Sequence, residues 1–495
     1  MKNHFKLFSS VGMVVVCLVG FFIIGCQSQA GSQKEIAITT KSDEARKIFI
    51  EGRELFDNIR FDEAREVFSQ AIAKDPEFAL AHLYRSFTST SAMDFQKHLE
   101  HALNLKSQVS EGEKIMIQAI QANADNNPMK GIELFEQLAK NFPEDKRVQS
   151  FLGNLYAGQD QDDKAIARYE NAIAIDQDYS SPYNSLGYAY RKLGEYENSE
   201  EAFKNYIRLI PDEANPHDSI ADLYTKMGRY EDAIQHYQMA TDLNPNFTMS
   251  QRKIGDNLIF MGKHEAARQA YRKALNMETT ANAKLIDLGR IANSYVYEEK
   301  LQDAQNEAAN ILKMASAENL PEWQAGYHTN NCAVFLEMGD MDKAEQSVVE
   351  CKKVVMSSDL SPSTKEDFAK NALFAEARIA SKRGDFETAM AKADELKSKI
   401  NLNADPKEME NHHELMGYIS YDKGDYQKAV EHFDQADQDN PYALYHLALA
   451  EAKTGNDTRA NQLFKKVADW NENSLEYAFV RSRANMAVKK AMTAK

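Results

Sequence analysis

The feature that most constrains the fold of this chain is a period of 34 residues that recurs through its middle. Gly187, Ala221 and Gly255 are spaced by 34 residues, and so are Pro211 and Pro245. A fixed period of this length is typical of stacked supersecondary units rather than of one globular core. Three further sets keep the same interval: Tyr190 and Tyr224; Phe203, Tyr237 and Tyr271; and Gly194, Gly228 and Gly262.

Each period is predicted to contain two antiparallel helices joined by a tight turn. Gly194, Gly228 and Gly262 fall where the first helix of a unit would end, and glycine is favoured there because it adopts a left-handed conformation without steric cost. Small residues such as Gly187 and Gly255 would let the two helices of a unit approach closely. Because one such pair cannot bury its apolar faces alone, the pattern predicts a stack of consecutive pairs.

This pattern resembles the tetratricopeptide-repeat family, and the resemblance covers nearly all of residues 43–480. It implies an all-α, right-handed superhelical solenoid of about eleven to twelve helix pairs, with a concave face lined by the first helices. The predicted organisation is an N-terminal stack at 43–281, a C-terminal stack at 282–480 and a C-terminal tail at 481–495.

The N-terminus is predicted to be a targeting signal. Lys2 and Lys6 precede an apolar run that is too short to span a bilayer and has the length of a signal-peptide core. The following Ile23-Ile24-Gly25-Cys26 resembles the lipobox of bacterial lipoproteins, which implies cleavage after residue 25 and a lipid on the Cys26 thiol. The resemblance, with Gln27 rather than Asp next in the chain, implies an outer-membrane lipoprotein that faces the periplasm, with a polar tether at 26–42. An uncleaved anchor and a plain secretory signal are the alternatives.

Charge and motifs exclude several classes of function. With 59 Lys and Arg against 75 Asp and Glu, the formal net charge is −16, which repels phosphate backbones and argues against nucleic-acid binding. The sequence contains no HExxH, GxSxG, GxGxxG or Walker-type motif. We therefore expect a protein that is not an enzyme and that has no cofactor.

Two groups of side chains leave alternatives open. Asp94, His98 and His101 share one helical face and could hold a metal ion, but such triplets also arise by chance in long helical proteins, so no metal site is predicted. Cys332 and Cys351 lie within one repeat, where they are either joined by a disulfide in an oxidising compartment or two unpaired, small core residues.

The resemblance also indicates which residues line the concave groove. Asparagine both donates and accepts hydrogen bonds, arginine binds carboxylates in a planar, bidentate manner, and aspartate favours a basic segment, so these residue types suit the recognition of a peptide. The expected peptide-binding residues are Arg147, Asn154, Asn184, Tyr188, Arg191, Asn215, Asp218, Asp222, Arg252 and Asp256. A second, aromatic group comprises Tyr418, Tyr421, Tyr442 and Tyr445, as an interaction surface or as packing residues.

The function predicted from these observations is a non-enzymatic scaffold. Lipid-anchored in the cell envelope, it would bind peptide segments or protein partners in its groove. The alternative is an outer-membrane lipoprotein that captures glycans or other ligands. Glycan-binding lipoproteins of similar length carry exposed tryptophan platforms, whereas this chain has only Trp323 and Trp470.

Overall fold

The computed structural model describes residues 35–400 and 407–493, and all regular secondary structure in those ranges is helical. Consecutive helices pack as antiparallel pairs, which confirms the predicted all-α solenoid of helix pairs. The helices are α1 (Asp43–Asp57), α2 (Phe61–Lys74), α3 (Ala79–Phe87), α4 (Ala92–Leu105), α5 (Glu111–Ala124), α6 (Pro128–Asn141), α7 (Lys146–Ala157), α8 (Asp162–Ile175), α9 (Ser181–Leu193), α10 (Tyr196–Leu209), α11 (Ala214–Lys226), α12 (Tyr230–Leu243), α13 (Thr248–Phe260), α14 (His264–Met277), α15 (Ala281–Tyr297), α16 (Leu301–Ala317), α17 (Pro321–Met338), α18 (Met341–Ser357), α19 (Pro362–Lys382), α20 (Phe386–Ser398), α21 (Glu408–Lys423), α22 (Tyr426–Phe433), α23 (Pro441–Lys453), α24 (Asp457–Ala468) and α25 (Leu475–Thr493).

The chain forms two compact units. The first ends at Leu223 and the second runs from Tyr224 to Lys495, so the division falls inside α11. The boundary predicted at 281/282 therefore lies within the second unit, because α15 packs closely on α14, as α14 does on α13.

Glycines on the first helices allow aromatic rings of the second helices to pack against the backbone. A Cβ atom on Gly187 would lie 2.5 Å from the ring of Phe203, and one on Gly255 would lie 2.3 Å from the ring of Tyr271. Both rings are fully buried. Since any side chain would occupy the space of the ring, glycine is required at these two crossings, where the sequence pattern predicted small residues. The turn between the helices of a pair uses glycine differently: Gly194 ends α9 with a φ of 80°, in the left-handed region.

The described residues before α1 are docked on the first unit rather than exposed to solvent. Residues 36–41, which we name the strap, lie against the N-terminal ends of α5 and α7, and Ile36 and Ile38 are buried. This corrects the C-terminal half of the predicted tether at 26–42. The preceding residues, including the signal at 1–25 and Cys26, lie outside the described residues. None of the described helices is long and apolar enough to cross a membrane.

The C-terminal residues also pack into the structure. The segment predicted as a tail, 481–495, is helical as far as Thr493 and forms the C-terminal two thirds of α25. This helix packs on α15, α23 and α24, and Tyr477, Val480 and Ala484 are fully buried. The tail prediction is therefore corrected, because the apolar face of α25 is covered by other helices of the second unit.

Candidate functional site

The predicted groove residues all lie on first helices, but the structure separates them into two sets. Eight lie in the first unit, on α7, α9 and α11, and two lie on α13 in the second unit. Within the first unit their exposure differs sharply. Arg147, Asn184 and Asp218 are buried, with at most 8% of their surface exposed, whereas the other five are partly exposed.

Arg147 is engaged by the chain itself. Its guanidinium donates to one oxygen of Asp57 from Nε and Nη2, at 3.1 and 2.6 Å, and it lies over the ring of Tyr179. The turn between α1 and α2, which follows Asp57, also contacts the residues just before α9 and α11. Asn58 accepts a hydrogen bond from the Ser180 hydroxyl at 2.9 Å, and the guanidinium of Arg60 pairs with Glu213 at 3.3 Å. The turn between α1 and α2 therefore covers the N-terminal ends of α7, α9 and α11.

The remaining residues form what we call the polar ladder: Asn154 of α7, Tyr188 and Arg191 of α9, and Asn215 and Asp222 of α11. Each is partly exposed, and hydrogen bonds connect one helix to the next. Asn154 Oδ1 accepts from Ser185 on α9 at 3.4 Å, and the Tyr188 hydroxyl donates to Asp222 Oδ2 at 3.3 Å. The ladder therefore offers donors and acceptors along three successive first helices.

The charged end of the ladder is a partly exposed ion pair. Nη1 of Arg191 lies 3.8 Å from Oδ2 of Asp222, and the two side chains are 31% and 19% exposed. The guanidinium also lies 4.7 Å from the centre of the Tyr188 ring. A partly exposed pair at this distance contributes little to stability, so Arg191 and Asp222 are able to exchange this contact for contacts with a ligand. Arginine would bind a carboxylate, and aspartate would accept from a basic side chain or a peptide N–H.

The two groove residues of the second unit have structural partners. Arg252 donates to Asp287 from Nε at 2.6 Å and also pairs with Glu278, and Asp287 is fully buried. Burial raises the pKa of the Asp287 carboxyl, which the charge of Arg252 opposes. The structure thus places Arg252 in a buried ion-pair network rather than on an open surface.

Asp256 faces the C-terminal segment of its own unit. Its Oδ1 accepts from the Tyr271 hydroxyl and from Asn473 Nδ2, each at 2.7 Å, and Arg290 lies at 3.2 Å. Arg481 of α25 then donates to the carbonyl of Phe260 at 2.9 Å. The inner surface around α13 is therefore occupied by the chain itself, and no pattern in the sequence indicated this long-range contact.

The aromatic group is used for packing. Tyr418 is 2% exposed and meets Phe433 edge to face, with 5.1 Å between ring centres. Tyr442 donates to Glu337 and lies 5.9 Å from the ring of Phe479 on α25. Tyr421 packs on Tyr426, and Tyr445 packs on Phe464. Of the two alternatives for these tyrosines, the structure supports packing residues.

Neither tryptophan forms an open platform. Trp323 is stacked with Tyr327 at 6.4 Å between ring centres, and its indole N–H donates to Asn282 at 2.9 Å. Trp470 packs at the edge of the buried cluster around α25. Both rings are partly buried, so neither side chain presents an open ring face on which a sugar could stack.

The histidines and cysteines pack as follows. Asp94 pairs with Arg85 at 2.8 Å, and Nδ1 of His98 lies 3.2 Å from Nδ1 of His82. In residues 35–400 and 407–493, no group of three or more His, Cys, Asp or Glu side chains is arranged to hold a metal ion.

Cys332 and Cys351 are free thiols, both buried, and burial raises the pKa of Cys332 to about 12.

Comparisons with known proteins agree with the repeat assignment. Models described as TPR repeat or tetratricopeptide repeat match residues 51–86, 153–194, 180–213, 219–247, 253–280 and 414–473. These matches confirm that the chain contains tetratricopeptide repeats. No curated protein matches.

Solved structures with similar folds cover about a third of the chain. One is a crystal structure of MamA, 21% identical, with a TM-score of 0.30, covering 32% of this chain and 93% of that one. Another is MamA of Desulfovibrio magneticus RS-1, 14% identical, with a TM-score of 0.31, covering 34% and 94%. A third is YrrB, described as a TPR protein with an unusual peptide-binding site, 18% identical, with a TM-score of 0.30, covering 37% and 93%.

Proposed function

We propose that this chain of tetratricopeptide repeats is a non-enzymatic scaffold that binds a peptide segment of a partner protein on the polar ladder of its first unit. The observation that carries the proposal is that the ladder stays partly exposed while the other predicted groove residues are buried or covered. Function follows from the site rather than from the fold, since helical repeats serve many partners.

The ladder suits a peptide segment that carries both acidic and basic side chains, or one that has polar groups at successive positions. Arg191 offers planar N–H donors, and Asp222 offers an acceptor on the neighbouring helix. Asn154, whose Oδ1 already accepts from Tyr169 at 2.8 Å, presents its amide edge one helix earlier. A peptide lying across α7, α9 and α11 would meet these groups in succession, and this favours a peptide over a compact small molecule.

In living cells, we expect a photo-reactive benzoylphenylalanine in place of Tyr188 to cross-link to one dominant partner. The same residue in place of Tyr196, a partly buried tyrosine on α10 of the same repeat, serves as the matched control. Arg191→Glu should reduce the cross-linked product at least several-fold, because it reverses the charge that faces the ligand. Arg208→Glu, an exposed reversal on α10, should not. Equal products from Tyr188 and Tyr196, or no effect of Arg191→Glu, would contradict the proposal.

We propose further that the scaffold is held in the cell envelope by a lipid on Cys26. The support is the sequence Ile23-Ile24-Gly25-Cys26 after a signal-like apolar run. Acyl chains contribute about 0.8 kcal/mol for each buried CH₂ group, so more than one chain is needed for stable attachment. The orientation toward the periplasm, at an outer membrane, belongs to the same proposal.

The anchor predicts a clear change in fractionation. Wild-type protein should sediment with membranes and incorporate a radiolabelled fatty acid, whereas Cys26→Ser should lose the label. Because Cys332 and Cys351 are buried, Cys351→Ser is a control that should keep both the label and the membrane association. Retention of the fatty-acid label by Cys26→Ser would exclude this attachment.

A further inference from the structure

The strap is bound to the first unit through its main chain. The N–H of Ile36 donates to Asp145 Oδ2 at 3.1 Å, the N–H of Thr39 donates to Glu113 Oε1 at 2.8 Å, and the N–H of Lys41 donates to Asp75 Oδ2 at 3.0 Å. Asp75 lies in the turn between α2 and α3, Glu113 in the first turn of α5 and Asp145 just before α7, and each carboxylate accepts one strap N–H. The strap therefore crosses the edge of the unit as an extended segment.

Side chains strengthen the same contacts. The hydroxyls of Thr39 and Thr40 donate to Glu113 and Asp75, each at 2.5 Å. Ile36 is fully buried, and its Cγ2 fills the space in which a Cβ atom on Gly112 would lie, only 2.6 Å away. Ordering a residue costs about 1–2 kcal/mol of backbone entropy, and this cost is opposed here by five hydrogen bonds to the carboxylates together with the burial of two isoleucines.

Two of the three acceptor carboxylates also hold the N-termini of helices. Asp145 caps α7 by accepting from the N–H groups of Arg147 and Val148. Glu113 forms a capping box with Ser110 at the start of α5. Both carboxylates are almost completely buried. Because these residues hold helix N-termini and the strap at once, the strap leaves the unit at one defined edge, where α5 and α7 begin.

This exit point fixes how the first unit can meet a membrane. Ile36 is ten residues after Cys26, and ten residues span at most about 35 Å even when fully extended. We infer that the strap edge, formed by the N-terminal ends of α5 and α7, faces the membrane surface. This inference rests on the proposed lipid on Cys26.

The charged end of the polar ladder, at Arg191, is then presented away from the bilayer. The N-terminal ends of α7 and α9 share one edge, since Lys146 pairs with Asp176 and lies over the ring of Tyr179, just before α9. Arg191 lies ten residues beyond the start of α9, or about 15 Å along the helix axis. A partner would therefore reach the charged end of the ladder from the side opposite the lipid surface.

Energy transfer from the protein to labelled lipids tests this orientation. The full chain is isolated from membranes with its anchor, carries a donor on azidophenylalanine at Glu144 or at Gln159, and is reconstituted into vesicles with acceptor-labelled headgroups. These two exposed positions flank α7, about 20 Å apart. Transfer should be several-fold more efficient from Glu144, at the strap edge, than from Gln159.

An undocked strap supplies the internal comparison. Ile36→Asp places a charge in a fully buried position and should release the strap, which would reduce the difference between the two donors. Glu35→Asp, at the neighbouring exposed residue, should leave the difference unchanged. Equal transfer from both positions of vesicle-bound wild-type protein would overturn the inference and leave the anchor intact. If the purified chain fails to associate with vesicles, the anchor proposal fails and the inference fails with it.

Discussion

Replacing Arg252 with alanine is expected to lower the free energy of unfolding of the second unit by about 3–5 kcal/mol, the usual cost of removing one partner from a buried ion pair. Asp287 is fully buried and Glu278 is 13% exposed, so both carboxylates would lose their shared cation in a poorly solvated place. Urea denaturation followed by tryptophan fluorescence reports on this unit, because Trp323 and Trp470 both lie in it.

A matched arginine provides the control. Arg272 on α14 pairs with Glu265 at 3.6 Å, and both side chains are about half exposed, so Arg272→Ala should change stability by no more than about 0.5 kcal/mol. The loss of stability in Arg252→Ala should also become smaller as the pH falls. A buried carboxylate without its cation is less unfavourable once it is protonated and neutral. If Arg252→Ala is instead as stable as wild type but no longer binds its partner, Arg252 belongs to the binding surface.

Lowering the pH from 7 to 5 is expected to destabilise the first unit by about 2 kcal/mol through His98 alone. Burial, reinforced by the charge of Arg85, lowers the pKa of His98 to about 4, from its ordinary value of 6.5. Between pH 4 and pH 6.5, His98 is protonated in the unfolded chain but neutral in the folded chain. The contribution of His98 to stability is therefore fully present above about pH 6.5 and is lost as the pH falls toward 4.

The groups around His98 set the size of this effect. Its ring contacts those of His82 and His101 and lies 3.6 Å from Asp94, whose charge Arg85 already neutralises in part. In His98→Gln, urea denaturation followed by circular dichroism at pH 7 and pH 5 should show a smaller loss than in wild type. His328→Gln, in the second unit, is the control for a general histidine effect and should leave the acid sensitivity of the first unit unchanged. An equal loss of stability in wild type and His98→Gln would show that the acid sensitivity arises from other groups.

Local features of the fold were predictable because they repeat. The interval that separates Gly187 from Gly255 also separates Phe203 from Tyr271, and the structure packs each ring on the glycine 16 residues before it. Such contacts depend on residues within one helix pair, so the same residue types recur at the same places. The glycine turn after α9 was predictable for the same reason, since only the conformation of Gly194 itself is involved.

The candidate site was only partly predictable. The ten groove residues that the resemblance indicated all lie on first helices, and five of them form the partly exposed ladder. The remaining five are buried or covered, and for two of them the partner comes from far along the chain: Arg147 binds Asp57, 90 residues away, and Asp256 binds Asn473, 217 residues away. No periodic pattern contains such a pairing.

The sequence by itself determined the all-α repeat architecture and the helix pairs with their glycine crossings. These are properties of short segments, and short segments are described well by residue spacing. Only the tertiary structure decided which inner surfaces remain open, because that depends on how successive pairs stack and on which distant segments return to them. The docked strap and α25 are such segments, and both owe their places to apolar side chains that find a buried surface only after the repeats have assembled.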